Sequence, residues 1–187
     1  YNIPLIVDEA HGSHFAFHPA LPISALSAGA DLTVQSIHKT LGAMTQASML
    51  HIQGERININ RLNKSLQLTQ STSPSYILLA SLDAARHQIA IHGQELLTQT
   101  LKLAKEARDK INQIPRISTL SFPQSPCLPL SHSSSDNTRL TAIVSELGIT
   151  GFEAEEILDE KFNVTPEYAS SQTVTFIFSL VNTASDI

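Results

Sequence analysis

The sequence predicts an α/β fold, a mainly parallel sheet with helices, followed by a smaller α+β domain. Three observations predict it. Short apolar runs that read as buried strands each end on residues able to do chemistry. One long stretch of helical periodicity then occupies the middle of the chain. Beyond Pro115 the composition shifts to Pro, Ser and His, and a β-branched, aromatic run closes the sequence.

Taken in order, Tyr1 to Val7 opens on an apolar run that reads as a strand already in progress, so a fragment of a longer protein is expected. Leu5 to Val7 delivers Asp8 to the C-terminal end of a strand, the edge where open α/β sheets place ligands. Glu9 to Pro22 is polar, His-rich and too irregular for a regular element. Asp31 to Ser36 reads as a second strand, Ile37 to Thr40 as a turn, and Ala47 to Ile52 as a third strand. From Asn58 onwards, Ile59, Leu62 and Leu66 have helical spacing, and Ser71 to Pro74 forms a loop whose proline suits the approach to a helix. Tyr76 to Ile114 carries apolar residues at Leu79, Leu82, Ala85, Ile89, Leu96, Leu97, Leu101 and Ala104. Gly93 is the one strong interruption, which predicts two helices joined there. The major domain is read as residues 1–112 and the small domain as 113–187. Within the latter, Arg139 to Val144 and Val174 to Leu180 read as strands. Ala154 to Phe162, opened by Gly151, Phe152 and Glu153, reads as a helix with Phe152, Ile157 and Leu158 on its apolar face.

Composition narrows the function. The chain has 187 residues, 42% of them hydrophobic, enough to bury a core without disulfides or metals. A formal charge of −5, with 12 Lys and Arg scattered along the chain, gives no electrostatic case for nucleic acid or an anionic membrane. Cys127 is the single cysteine, so no internal disulfide forms, which fits a reducing cytoplasm. No leader-like segment or membrane-length apolar run is evident, and a cytoplasmic protein is expected.

Asp8 and Lys39 are the pair that carries chemistry. Pyridoxal-phosphate (PLP) enzymes need a lysine amine to bond the cofactor and a carboxylate to keep its pyridine nitrogen protonated. Each residue follows a buried strand, so the two can face each other across one sheet edge. Alone, either would read as a solvated surface charge.

Their neighbours change that reading. Val7-Asp8-Glu9-Ala10-His11-Gly12, Gly29-Ala30-Asp31, Ser36-Ile37-His38-Lys39-Thr40 and Gln46-Ala47-Ser48 resemble the ornithine/lysine/arginine decarboxylase family of fold-type-I PLP enzymes, nearest its short arginine decarboxylase-like branch. Ser73-Pro74-Ser75-Tyr76, Leu79 to Ala85 and Asn182-Thr183 extend the similarity over nearly the whole chain. The resemblance implies the C-terminal part of a fold-type-I PLP-dependent transferase large domain, followed by a truncated small α+β domain. It implies that Lys39 bonds the cofactor, Asp8 pairs with the pyridine nitrogen, Ala10 packs on one ring face, and His11 lies near the cofactor oxygen. Ser36 and His38 would contact the phosphate, and Ser71, Thr72 and Ser73 would reach the phosphate of a neighbouring subunit in a dimer or larger homo-oligomer. The implied reaction releases carbon dioxide from a basic amino acid, arginine first and then lysine or ornithine, as in polyamine biosynthesis. The family's ring-stacking histidine and glycine-bearing phosphate loop would lie upstream of Tyr1. Ile37 stands where a small polar residue is more usual, and Val181 where Gly is expected, which would force a turn there to rearrange.

Alternatives stay open: a catalytically empty fragment, or another fold-type-I reaction such as transamination or side-chain cleavage. His11, His14 and His18 have a spacing that would align them on a helix, but with Gly12 and Pro19 beside them they read as cofactor contacts and packing residues, and no metal is expected. Phe15 and Phe17 read as core or subunit interface. Glu153, Glu155, Glu156, Asp159 and Glu160 read as a solvated helix face. Glu167 reads equally as a substrate-side or a surface-loop carboxylate.

Overall fold

The computed structural model describes residues 3–121 and 135–187. Pro123, Pro126, Cys127, Pro129 and Ser131 to Ser134 of the Pro/Ser/His-rich stretch, with Tyr1 and Asn2, lie outside the described residues. The chain divides into two compact units, Tyr1–Gln94 and Glu95–Ile187.

The first unit holds a three-stranded sheet. β1 (Ile6–Asp8) pairs in parallel with β2 (Leu32–Gln35), and β2 pairs antiparallel with β3 (Met49–Ile52). The sheet is therefore mixed. Parallel pairing of β1 with β2 sets Asp8 beside Val34, so both strands run out at the same edge. Asp31, buried at the start of β2, locks the opposite end: its carboxylate accepts from Leu5 N–H at 2.8 Å and from the Arg56 guanidinium at 2.9 Å. These bonds, the backbone one foremost, hold the Asp31 carboxyl below the usual carboxylate range against the opposing effect of desolvation.

Ile37–Thr40 is a one-turn helix, α1, instead of the expected turn. Ile37 and Thr40 are buried beneath it, so the apolar residue that departs from the family pattern is the anchor of this helix. α2 (Ile59–Thr69) is capped by Asn58, whose side chain accepts from Arg61 N–H. α3 runs without a break from Tyr76 to Ile111. The expected join at Gly93 is absent because glycine costs an otherwise good helix only about 1 kcal/mol, and here it serves packing. A Cβ at Gly93 would come within 3.3 Å of Phe17 Cβ and 3.1 Å of Ile89 Cδ1, so the bare backbone admits the Phe17 side chain.

The second unit carries an antiparallel sheet in the order β4 (Ser118–Thr119), β5 (Arg139–Ile143), β7 (Thr173–Ile177), β6 (Tyr168–Ala169). Ala107 of α3 packs with Leu140 and Ala142, and the residues Ile111, Ile117, Phe176 and Phe178 close around them. α4 (Gly151–Phe162) begins at a capping box, Thr150 with Glu153, which also holds the Glu153 carboxyl below its usual range. Its inward face is Gly151, Ala154 and Leu158, while Phe152 and Ile157 point to solvent, contrary to expectation. Gly151 fixes that rotation, since its backbone lies against the carbonyls of Ser170 and Thr173. Val181 sits at a turn without positive φ, so no glycine is required there.

Candidate active site

Strand alternation gives Asp8 and Glu9 opposite fates. Asp8 is exposed at the end of β1, and its Oδ1 accepts from Ala10 N–H at 3.0 Å, closing a local turn. Glu9 points inward and is buried. The chain then folds back through Ala10 and His11, with Gly12 N–H donating to Glu9 O at 2.9 Å.

β2 ends at Gln35 and passes through Ser36 into α1. Ser36 N–H donates to Ala10 O at 3.3 Å, which ties the segment after β1 to the segment after β2. Burial of Ile37 and Thr40 leaves Lys39 exposed on the outside of the helical turn. There Lys39 Nζ lies 3.3 Å from His11 Nε2. A nitrogen-to-nitrogen hydrogen bond needs one lone pair, so these two groups share a single proton across the contact. His38 is held from the other side: its N–H and its ring Nδ1 both meet Ala47 O, at 3.3 and 3.0 Å. A carbonyl only accepts, so Nδ1 carries the hydrogen and Nε2 is left as the other ring nitrogen.

The structure thus brings together Asp8, Ala10, His11, Ser36, His38 and Lys39 at one sheet edge. Ser73 is held locally instead, its N–H donating to Ser71 Oγ at 3.1 Å and its carbonyl accepting from that hydroxyl. The three spaced histidines do not share a helix, because only Phe15–Phe17 is helical there. His14 is buried with its ring edge-on to Phe15 at 4.9 Å, and His18 Nδ1 accepts from Ala20 N–H, its pKa lowered by burial. Among the described residues no group of three or more His, Cys, Asp or Glu is placed to hold a metal ion, and no helix is long and apolar enough to cross a membrane.

This set suits PLP: one amine, one carboxylate on the same edge, a small residue bonded to that carboxylate through its N–H, and a hydroxyl with an imidazole for phosphate. Two residues escaped sequence reasoning. Glu9 and Gln35 meet inside the turn, and the alternation that sends Asp8 outward was the signal for Glu9.

Comparison with known proteins gives the family. The model of the Orn/Lys/Arg decarboxylase major domain matches residues 1–131. Arginine decarboxylase of Bacillus cereus is 40% identical over 187 residues, all of this chain and 40% of that protein. Arginine decarboxylase of Bacillus subtilis is 41% identical over 180 residues, 96% of this chain and 36% of the relative. The chain therefore spans about two fifths of the length of these relatives. Among solved structures, the lysine decarboxylase of Francisella novicida superposes with a TM-score of 0.77 at 23% identity, over 97% of this chain and 30% of that one, a likeness of fold.

Proposed function

The chain belongs to the Orn/Lys/Arg decarboxylase family, and on that premise we propose that it supplies the lysine-bearing part of a PLP-dependent decarboxylase acting on a basic amino acid, arginine foremost, then lysine or ornithine. The observation that carries this is the cluster at the end of β1 and β2, above all Lys39 Nζ at 3.3 Å from His11 Nε2. PLP, when bound, supplies the electron sink that lets a carboxylate leave an amino acid as carbon dioxide.

Each residue of the chain has a part in that reading. Lys39 is the amine that would hold the cofactor aldehyde. His11 gives or takes a proton at Lys39 Nζ, through the hydrogen the two nitrogens share. Asp8, free of any basic partner among the described residues, offers its carboxylate to the pyridine nitrogen. Ala10 is small enough to lie under a ring, the Ser36 hydroxyl would donate to phosphate, and His38, whose Nδ1–H is given to Ala47 O, would contact phosphate through Nε2 as the second N–H of a doubly protonated ring. Ser73 belongs to a neighbouring subunit's phosphate site in a homo-oligomer. Residues 1–112 form the second part of a fold-type-I large domain and 113–187 the small domain, in a cytoplasmic enzyme of polyamine biosynthesis.

A second reading has its own observation. Asp8 and Lys39 are both exposed, and the chain spans two fifths of its relatives, so the 187 residues by themselves are catalytically empty while the parent enzyme is active. An absorbance titration with PLP, followed by borohydride and peptide mapping, separates the two. A trapped adduct on Lys39, lost in Lys39→Ala, shows a working cofactor site, and release of amine from arginine, lysine or ornithine then names the substrate. No Lys39-dependent band leaves the second reading standing.

A further inference from the structure

We propose that the inward face of the first sheet carries a binding site for a single water molecule, bridging the Thr33 hydroxyl of β2 and the His51 ring of β3. Pairing of β2 with β3 sets Thr33 directly opposite His51, and pairing of β1 with β2 sets Val7 on the other side of Thr33, so the three side chains share one face. Thr33 is 0% exposed and His51 is half-buried. Thr33 Oγ1 and His51 Nε2 are both shut off from solvent, and among the described residues neither has a hydrogen-bond partner. Native interiors pair nearly all such atoms, either with protein or with ordered water. Two orphaned atoms on residues opposite each other in one register ask for one shared partner.

Reach explains why the two do not bond directly. In the second sheet Thr141 stands opposite Thr175, and their hydroxyls meet at 2.9 Å. Both of those oxygens sit next to their own Cβ, at the same height above the sheet. Thr33 has the same short reach, but imidazole carries Nε2 to the far side of its ring, away from the sheet. With opposite Cβ atoms about 5 Å apart, the span that results is about two hydrogen bonds of about 2.8 Å each. Thr33 is β-branched and stiff about χ1, so its hydroxyl does not turn to shorten that span. Val7, its other neighbour in the row, offers only methyl groups. Water fits the need because it donates and accepts, and so serves either tautomer of His51 with the hydroxyl of Thr33 turned to match. A metal ion does not, since one hydroxyl and one imidazole make no ligand set, and among the described residues no group of three or more His, Cys, Asp or Glu is assembled. The next row on this face is satisfied without help, Gln35 Nε2 donating to Glu9 Oε2 at 2.7 Å. Thr33 and His51 lie outside the set proposed to hold the cofactor, so the inference does not rest on that reading.

The test is a high-resolution crystal structure of the full 187-residue chain without substitution, together with oxygen-17 relaxation dispersion in solution, which counts long-lived bound waters. Density for a water within hydrogen-bond distance of both Thr33 Oγ1 and His51 Nε2 is expected. A direct bond between those two atoms, or a site with no water touching both, overturns the inference. In solution Thr33→Val, which keeps the side-chain shape and drops the hydroxyl, is expected to lose one long-lived water relative to the parent. An equal count in a folded Thr33→Val chain overturns the inference. Should that variant fail to fold, the density in the unsubstituted chain decides alone.

Discussion

Gly12→Ala is the sharpest perturbation of the turn that follows Asp8. An added Cβ would lie 2.6 Å from Glu9 Cγ and 2.7 Å from Phe15 Cε2, where carbon atoms ordinarily rest about 3.5–4.0 Å apart. Something must move by about 1 Å. Glu9 cannot do so without stretching its 2.7 Å bonds to Ala25 and Gln35, and Phe15 is packed edge-on against the His14 ring. Overpacking of this kind costs about 1–3 kcal/mol, weakened hydrogen bonds to a carboxylate about 1–3 kcal/mol, and the stiffer unfolded chain returns about 0.4–1 kcal/mol. A net loss of about 2–4 kcal/mol is expected. For a unit of this size that lowers the midpoint by about 10–25 °C. Gly42→Ala is the internal control, since its Cβ would meet only Gln88 Oε1 at 3.5 Å, an ordinary contact. Urea unfolding followed by amide exchange at β2 gives both values in the first unit. A Gly12→Ala chain within about 0.5 kcal/mol of the parent would refute the claim that this turn is close-packed.

Two further outcomes are expected. Gly151→Ala drives a Cβ into the Ser170 and Thr173 carbonyls, backbone that cannot rotate away, and should destabilise the second unit by about 3 kcal/mol despite the better helix propensity of alanine; exchange of the β7 amides reads it, and an unchanged rate sinks it. Asp31 has a lowered folded-state pKa through Leu5 N–H and then Arg56, so its contribution is present above the ordinary carboxylate range and is lost as pH falls through the lowered value. Asp31→Asn should therefore flatten the stability profile on the acid side of the ordinary carboxylate value of about 3.9, and an unaltered acid slope in that variant refutes the assignment.

How much of this was legible follows from how local each cause is. β1, β2 and β3 were readable because their apolar runs are short and dense, and Asp8 and Lys39 because each stands just past a strand. The antiparallel course of β3 was not, since an apolar run has no direction until its neighbour is known. Gly93 misled because propensity is a weak prior: the residue reads as a breaker, yet Phe17, far away in sequence, needs the space. α4 was found, but its face was misjudged, because the buried stripe is set by Gly151 against the turn before β7 and leaves the larger Phe152 in solvent. Ser73 lies in a local turn closed on Ser71, and no pattern within the sequence says what such a loop faces.

α1 shows why Lys39 has a defined place at all. A single helical turn does not persist by itself, because nucleation is unfavourable and only added turns repay it. Here two outside supports replace the missing turns. Ile37, 3% exposed, fastens the inner face, and Ala47 O takes two bonds from His38 on the flank. Ala47, whose N–H donates to Met44 O, follows Gln46, which holds φ at 80°, a conformation costly for a residue with a side chain. The two bonds to Ala47 O fix His38, and His38 with Ile37 fixes the direction in which Lys39 leaves the turn. A glycine at 46 would relieve the strain but widen the choices of the loop, so the hold of Ala47 O on the turn that carries Lys39 answers to a residue seven positions downstream of the lysine.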